Sequence, residues 1–299
     1  MKVAIKRISS DPLGLLGLCL VTLMVVSALG ASIFAPYDPV QLNIMERLQG
    51  PSAKHLLGTD QLGRDLFSRV LFGGQVALKV AFLSIGSALI VGIILGLIAG
   101  YGPVWLDNSI MLLFDTIRSV PTIMLALVTV AFVGASLTTL IFVIAASSIP
   151  TYGRIVRTQT LTIKSKDFVK AEMLMGASVL RILSIHLLPN ILGPLLILAS
   201  MDIPSIIALE AGLSFLGMGV KPPTPSWGSI LNDGFALIRN TPWPIIAGSI
   251  PLVLATLGFT FLGESLRDLL DPKLRKLIRW KTFLEFVIYR LIIKLIEAY

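Results

Sequence analysis

Six stretches of this chain, residues 13 to 35, 77 to 99, 109 to 133, 136 to 153, 187 to 217 and 243 to 264, are apolar for about the length a lipid bilayer demands. A hydrocarbon core about 30 Å thick takes about 20 helical residues. Inside it every backbone N–H and C=O must be satisfied by the chain itself, which leaves helices or a closed barrel. Uninterrupted apolar runs of this length read as helices. The expected fold is an all-α polytopic membrane protein with six transmembrane helices. Composition agrees, because 14% charged residues against 55% apolar falls well short of the quarter or so that soluble domains carry.

Lys2, Lys6 and Arg7 precede the first run, and Ala28-Leu29-Gly30-Ala31 near its end resembles a signal cleavage site. The run is longer than a signal core of about 7 to 15 residues, so an uncleaved first span is expected. The single cysteine, Cys19, lies in this run and forms no intrachain disulfide. Most of the 25 Lys and Arg fall in segments that share one face if the N-terminus is cytoplasmic, above all 154 to 181 and the stretch after 264. Cations are retained on the cytoplasmic side, so both termini are placed there and the protein in the cell membrane. The net charge of +8 is then topology and headgroup attraction, not a nucleic-acid footprint. The first outer loop dissents mildly with Arg47, Lys54, Arg64 and Arg69, neutralised by Asp38, Glu46, Asp60 and Asp65.

Within the spans, Gly92, Gly96 and Gly100 recur every four residues and predict a face buried against a neighbouring helix. Pro121 and Pro150 each remove a backbone donor and predict bends in the third and fourth spans. Asp115 and Arg118, three apart, are expected to pair on one helix face. Asp202 and Glu210 matter more, since a carboxylate in hydrocarbon costs several kcal/mol unless it meets a partner or water. They stand about 80° apart around the fifth span and about 12 Å apart along it, with Pro204 between them. Two readings stay open: these groups line a solute path, or they make hydrogen bonds between helices.

The connection from 218 to 242 starts as a proline-stiffened stretch and continues as a short amphipathic helix, and Trp227 and Trp243 suit a membrane–water interface. In the first outer loop, Thr59 or Asp60 is expected to cap a helix starting near Gln61. Residues 151 to 189 form a basic insert between apolar runs. Asp167 is the expected N-cap of a short helix there, Phe168, Ala171, Met175 and Val179 fall on one side, and Gly176 ends it. An apolar knob on a water-facing loop suits a groove on a soluble partner, or packing on its own chain.

APYDP at 35 to 39, HLLGTDQLGRD at 55 to 65, KAEMLMGAS in the insert with LPN at 188 to 190, EAGLSFLGMGVKPPTPSWG at 210 to 228 and LRDLLDPKLR at 266 to 275 together resemble the C-type inner-membrane permease of dipeptide, oligopeptide and nickel ABC importers. The match covers nearly all of residues 7 to 276. The resemblance implies the type I importer permease fold, with the insert a coupling helix docked on a cytoplasmic ATPase. The implied contact residues are Asp167, Phe168, Lys170, Ala171, Glu172, Met175, Gly176, Ala177, Ser178 and Arg181; Asp202, Pro204 and Glu210 are the candidate pore residues. It also implies a sibling permease in a heterodimer, one or two ATPase subunits that bind ATP and Mg, an extracytoplasmic solute-binding protein, and surrounding membrane lipid.

The chain departs from the family in two places. The coupling loop of such permeases usually reads Glu-Ala-Ala before its glycine, whereas Lys170, Ala171 and Glu172 stand here; this suggests a charge-reversed contact. After Lys281 the tail TFLEFVIYRLIIKLIEAY is too short to span and reads as an amphipathic extension, 282 to 299, on the interface or a partner subunit. The expected organisation is therefore 1 to 75, a permease core 76 to 281 with a coupling loop 154 to 186, and the extension. No GxxxxGK(S/T) phosphate loop occurs, so the chain is expected to be no enzyme and to hold no cofactor. Only His55 and His186 are present, on opposite faces, so no tight metal site is expected and nickel would pass only as a complex or by weak contacts. The rival readings are a proton-driven secondary transporter using Asp202 and Glu210, and a membrane scaffold without transport. Neither accounts for the insert together with the colinear match. The solute stays open among peptides, nickel complexes and oligosaccharides.

Overall fold

The computed structural model describes residues 11 to 270, so the basic N-terminal residues, the second half of LRDLLDPKLR and the 282 to 299 extension lie outside the described residues. Nine helices of eight residues or more organise the described chain: α1 (Pro12–Leu29), α2 (Leu66–Tyr101), α3 (Val104–Ser119), α4 (Thr122–Val133), α5 (Leu137–Lys164), α6 (Asp167–Leu174), α7 (Leu188–Phe215), α8 (Trp227–Ala236) and α9 (Trp243–Leu270). The turn Val179–Arg181 and a π-helical segment, Ile182–Leu187, run directly into α7. α1, α2, α5, α9 and the run Val179–Phe215 are each long and apolar enough to cross a membrane.

The third expected span is broken. α3 and α4 meet at 87°, because Pro121 forces Val120 into extended backbone (φ −96°, ψ 121°) and supplies no N–H to carry the helix on. Pro150, Pro194 and Pro204 lie inside continuous helices. α2 begins well before residue 77 and runs through residue 75, so the expected division between 75 and 76 falls inside one helix.

α2 and α5 form the longest packed pair. A methyl group on Gly96 would lie 2.5 Å from the Gly153 carbonyl oxygen, and one on Gly100 2.7 Å from Thr160 Cβ. The glycine stripe thus lets two backbones meet where dispersion alone holds helices together. Tyr152, Val156 and Ile144 of α5 and Val80, Ala81 and Ala88 of α2 complete this buried seam. α1 packs on α9 in a similar way, Gly17 against the backbone of Leu262.

Asp115 and Arg118 do not pair with each other. Arg118 donates to Thr151 Oγ1 at 3.0 Å, Asp115 pairs with Arg154, and Asp107 takes a two-pronged pair from Arg157. All three link α3 to α5, since the nearer partners stand on the facing helix. At the same end Lys164 Nζ donates to the Tyr101 carbonyl at 3.1 Å.

The opposite end is closed by residues 35 to 65 and 216 to 242. The helix expected near Gln61 starts instead at Leu66, capped by Asp65, whose Oδ2 accepts from Ser68 N at 2.8 Å while Oδ1 meets His55 Nδ1 at 2.9 Å. Asp60 holds the preceding turn, accepting from Leu62 N, Arg64 N and Arg64 Nε. Trp227 does not sit at an interface with water. It is 2% exposed, lies against Gly73 and donates from Nε1 to the Val70 carbonyl at 2.9 Å. A capping box of Ser226 and Ser229 starts α8.

Candidate functional site

α6 opens one residue earlier than expected. Lys166, extended at φ −73°, ψ 145°, occupies the N-cap position without a side-chain hydrogen bond, and Asp167 is the first helical residue. There its carboxylate favours the positive helix end and faces Lys170 Nζ at 3.5 Å. At the other end Gly176 takes φ +83°; its N–H reaches the Met173 carbonyl at 3.0 Å, and Ala177 N reaches that of Glu172 at 3.0 Å. This pair of bonds is the Schellman arrangement, for which glycine carries no Cβ penalty. Ser178 Oγ then accepts from Arg181 N at 3.4 Å and starts the next turn.

Val169 is fully buried among Ile163, Ile182 and Leu187, with Met173 and Ala177 against the same core. This buried side was not marked out by the sequence pattern, yet it fixes which side faces out. Phe168, Ala171, Met175 and Val179 are all exposed, as is Arg181. Leu174 and Leu180, missed by the periodicity, are the most exposed of the set at 89% and 79%. Both flank the Gly176 break, where helical spacing stops being a guide. The result is an apolar knob of Leu174, Met175, Val179 and Leu180, rimmed by Lys170 and Arg181.

His186 secures the knob from below. Its ring meets Phe168 edge-on, centroids 5.8 Å apart, and its Nε2 lies 3.6 Å from Glu172 Oε1. Glu172 therefore turns inward, while Lys170 points away from the bundle with more than half its side chain exposed. His186 belongs to the π-helical segment, a local underwinding that often marks functional positions and that no residue pattern announced.

The structure separates the two carboxylates of α7. Asp202 is half-buried and accepts a hydrogen bond from the Tyr152 hydroxyl of α5 at 2.7 Å. It shares a stripe with Ser205, Leu209 and Gly212, and Pro204 beside it is also half-buried. Glu210 is fully buried; Oε1 accepts from Ser214 Oγ at 2.7 Å and Oε2 has no hydrogen-bond partner among the described residues. It lies inside the protomer and presents no surface to a solute.

The family described as the binding-protein-dependent transport system inner membrane component matches residues 92–276, and the N-terminal transmembrane domain of oligopeptide transport permease C matches residues 1–51. The dipeptide transport system permease protein DppC of Alkalihalophilus pseudofirmus is 37% identical, covering 91% of this chain and 90% of its own length. The oligopeptide transport system permease protein OppC of Bacillus subtilis is 33% identical over 92% and 90% of the two chains. The glutathione transport system permease protein GsiD of Pectobacterium atrosepticum is 38% identical over 85% of each. Among solved structures, an inward-facing MetNI methionine ABC transporter superimposes with a TM-score of 0.57 at 18% identity, covering 68% of this chain and 96% of that one. That likeness concerns the fold alone.

Proposed function

The chain belongs to the binding-protein-dependent transport system inner membrane components, and on that premise we propose that it forms half of the pore of a peptide importer, driven through the knob at residues 167 to 181. As a permease subunit of an ABC importer it is a multi-pass cell-membrane protein without catalysis of its own. ATP hydrolysis falls to partner subunits, and a binding protein delivers the solute. The names of the relatives, a dipeptide, an oligopeptide and a glutathione permease, support short peptides as the cargo.

One observation carries the mechanism: Leu174, Met175, Val179 and Leu180 stand exposed on a segment anchored at Val169 and Ile182. Exposed apolar side chains on a rigid mount suit a groove in a soluble partner. Because the π-helical segment joins this mount directly to α7, a push on the knob is delivered to α7 without an intervening flexible joint. Lys170 faces outward and calls for an acidic partner group on the ATPase; Glu172, held near His186, does not reach out. Asp167, Phe168, Ala171, Gly176, Ala177, Ser178 and Arg181 shape or rim the same contact.

The knob end is cytoplasmic in this reading, as are both chain termini. Asp202 and Pro204 face the solute path on the stripe with Ser205 and Gly212, and a sibling permease closes the other side. Glu210 is a structural group behind that stripe. The proton-driven and scaffold alternatives have no place in this family. The organisation proposed is an N-terminal part, 1 to 75, a core, 76 to 281, with the coupling loop 154 to 186, and an extension, 282 to 299.

The test is cysteine cross-linking of Met175→Cys in the intact complex. A cross-link to an ATPase subunit whose yield changes with ATP is expected. Cross-linking confined to extracytoplasmic protein, or a reporter placing residue 175 outside the cell, overturns the reading.

A further inference from the structure

At the end of the bundle opposite the knob, residues 61 to 69, the turn at Ala135 and the connection 214 to 233 enclose a cavity of about 330 Å³. Gln61, Arg64, Arg69, Lys221, Asn232 and Asp233 are among the groups lining it. Its volume lies at the small end of the range for small-molecule sites, about 300 to 1,000 Å³.

Two features of the lining are unsatisfied. Arg69 is 3% exposed, yet its Nε has no hydrogen-bond partner among the described residues. That Nε stands 3.5 Å from Asp60 Oδ2, an ion-pair contact without hydrogen-bond geometry, Nη2 stands 3.9 Å from Asp233 Oδ2, and the guanidinium's only hydrogen bond among the described residues is a long one, 3.4 Å, to the Pro39 carbonyl. Asp60 and Asp233 are instead drawn to Arg64, at 2.6 and 3.3 Å. The second feature is Gln61 Oε1, a buried acceptor without a donor among the described residues. Counting Lys221, which is exposed at the rim, Arg64, Arg69 and Lys221 outnumber Asp233 and the adjoining Asp60 by one charge. A buried polar atom left unpaired costs about 1 to 3 kcal/mol, and more for a charged group, so the cavity is built for a ligand that brings one negative charge and one donor.

We propose that this cavity binds the carboxyl-terminal end of a short peptide, the terminal carboxylate against Arg69 and a peptide N–H against Gln61 Oε1. A peptide end carries both groups side by side, whereas an Asp or Glu side chain of a docking protein offers acceptors alone. The assignment rests on the reading of the chain as a peptide importer's permease. It gives the outer mouth of the pore a way to distinguish a free carboxyl terminus from a blocked one.

The full chain, purified with its partner subunits in lipid nanodiscs, is tested by saturation-transfer NMR with L-alanyl-L-alanine, its carboxyl-terminal amide, and acetate. Alanyl-alanine should bind about tenfold more tightly than its amide, the worth of one charge-assisted bond, and more tightly than acetate. Arg69→Gln should erase the preference for the free acid. If that variant does not assemble, Gln61→Ala, at a partly exposed loop position, should weaken alanyl-alanine about fivefold with acetate unchanged. Equal binding of the dipeptide and its amide, equal binding of acetate, or no binding by the native chain each overturns the proposal. So does loss of binding-protein association in Arg69→Gln without dipeptide binding, which assigns the cavity to a protein side chain. Peptide uptake by the complete importer is measured in parallel. Uptake without binding at this cavity removes the site alone, whereas an importer that moves no peptide removes the functional reading itself.

Discussion

The Tyr152 hydroxyl donates to Asp202 Oδ2 at 2.7 Å, tying α5 to α7 at a point where α7 carries a carboxyl among apolar neighbours. One oxygen is thereby satisfied from within the protomer while the residue keeps part of its surface open. The two readings of Asp202 are compatible: one edge holds helices together, and the other stays open, as the proposed solute path requires.

Tyr152→Phe removes the donor and should destabilise the chain by about 1 to 3 kcal/mol, read as a lowered thermal midpoint in detergent. Asp202→Asn keeps an acceptor for Tyr152 and should leave that midpoint nearly unchanged. Its peptide uptake should nevertheless fall severalfold if the proposed role holds, since the charge offered to the solute's ammonium group is lost. Native uptake in Asp202→Asn would confine the residue to its structural bond.

Gly96 and Gly86 form a contrast within one helix. A side chain at Gly96 collides with the α5 backbone, whereas no described residue comes within 4 Å of the space a Cβ at Gly86 would occupy. Gly96→Leu should cost at least the 1 to 3 kcal/mol or so of an overpacked core and lower the yield of folded protein. Gly86→Leu should be tolerated in isolation, and a loss of heterodimer in that variant alone would locate residue 86 on the sibling interface.

For the knob, Leu180→Glu should abolish co-purification of the ATPase while leaving the thermal midpoint of the permease unchanged, because the side chain is almost wholly exposed. Val169→Ala, which opens a cavity under the mount, should instead lower the midpoint by the equivalent of about 1 to 3 kcal/mol. Lys170→Glu with Glu172→Ala should slow transport-coupled ATP hydrolysis with the native partner, and an unaltered rate would remove the charge-reversed contact.

Two ion pairs link α3 to α5, and they should differ in worth. Asp107, with Arg157, keeps 17% of its side chain exposed, whereas Asp115, with Arg154, keeps 66%. Surface pairs contribute about 0 to 1 kcal/mol, so Asp115→Ala should have little effect on the thermal midpoint. Asp107→Ala strands a half-buried guanidinium that had two hydrogen bonds and should cost distinctly more.

Legibility in the sequence tracked how local the physics was. Glycines at four-residue spacing announced a close helix contact because spacing alone puts them on one face, and the contact is there along Gly92, Gly96 and Gly100. Gly176 announced a helix end because its left-handed backbone is a local preference. The pairs of Asp115 and Arg118 were misplaced because charge at three-residue spacing permits a partner on the same helix, while the facing helix offered nearer ones. Trp227 was misassigned for the same reason: an amphipathic ring suits an interface in isolation, but α2 brought Gly73 and the Val70 carbonyl to it.

The sequence by itself determined the solvent of this protein, the number of apolar segments and the presence of a water-facing insert, since hydrocarbon length and charge distribution are properties of composition along the chain. The tertiary structure alone decided which side of α6 faces out, that Glu210 is enclosed while Asp202 stays partly open, and that residues as distant as Gln61, Arg69 and Asp233 line one cavity. Those outcomes depend on which helix stands beside which, and no single segment encodes its neighbours.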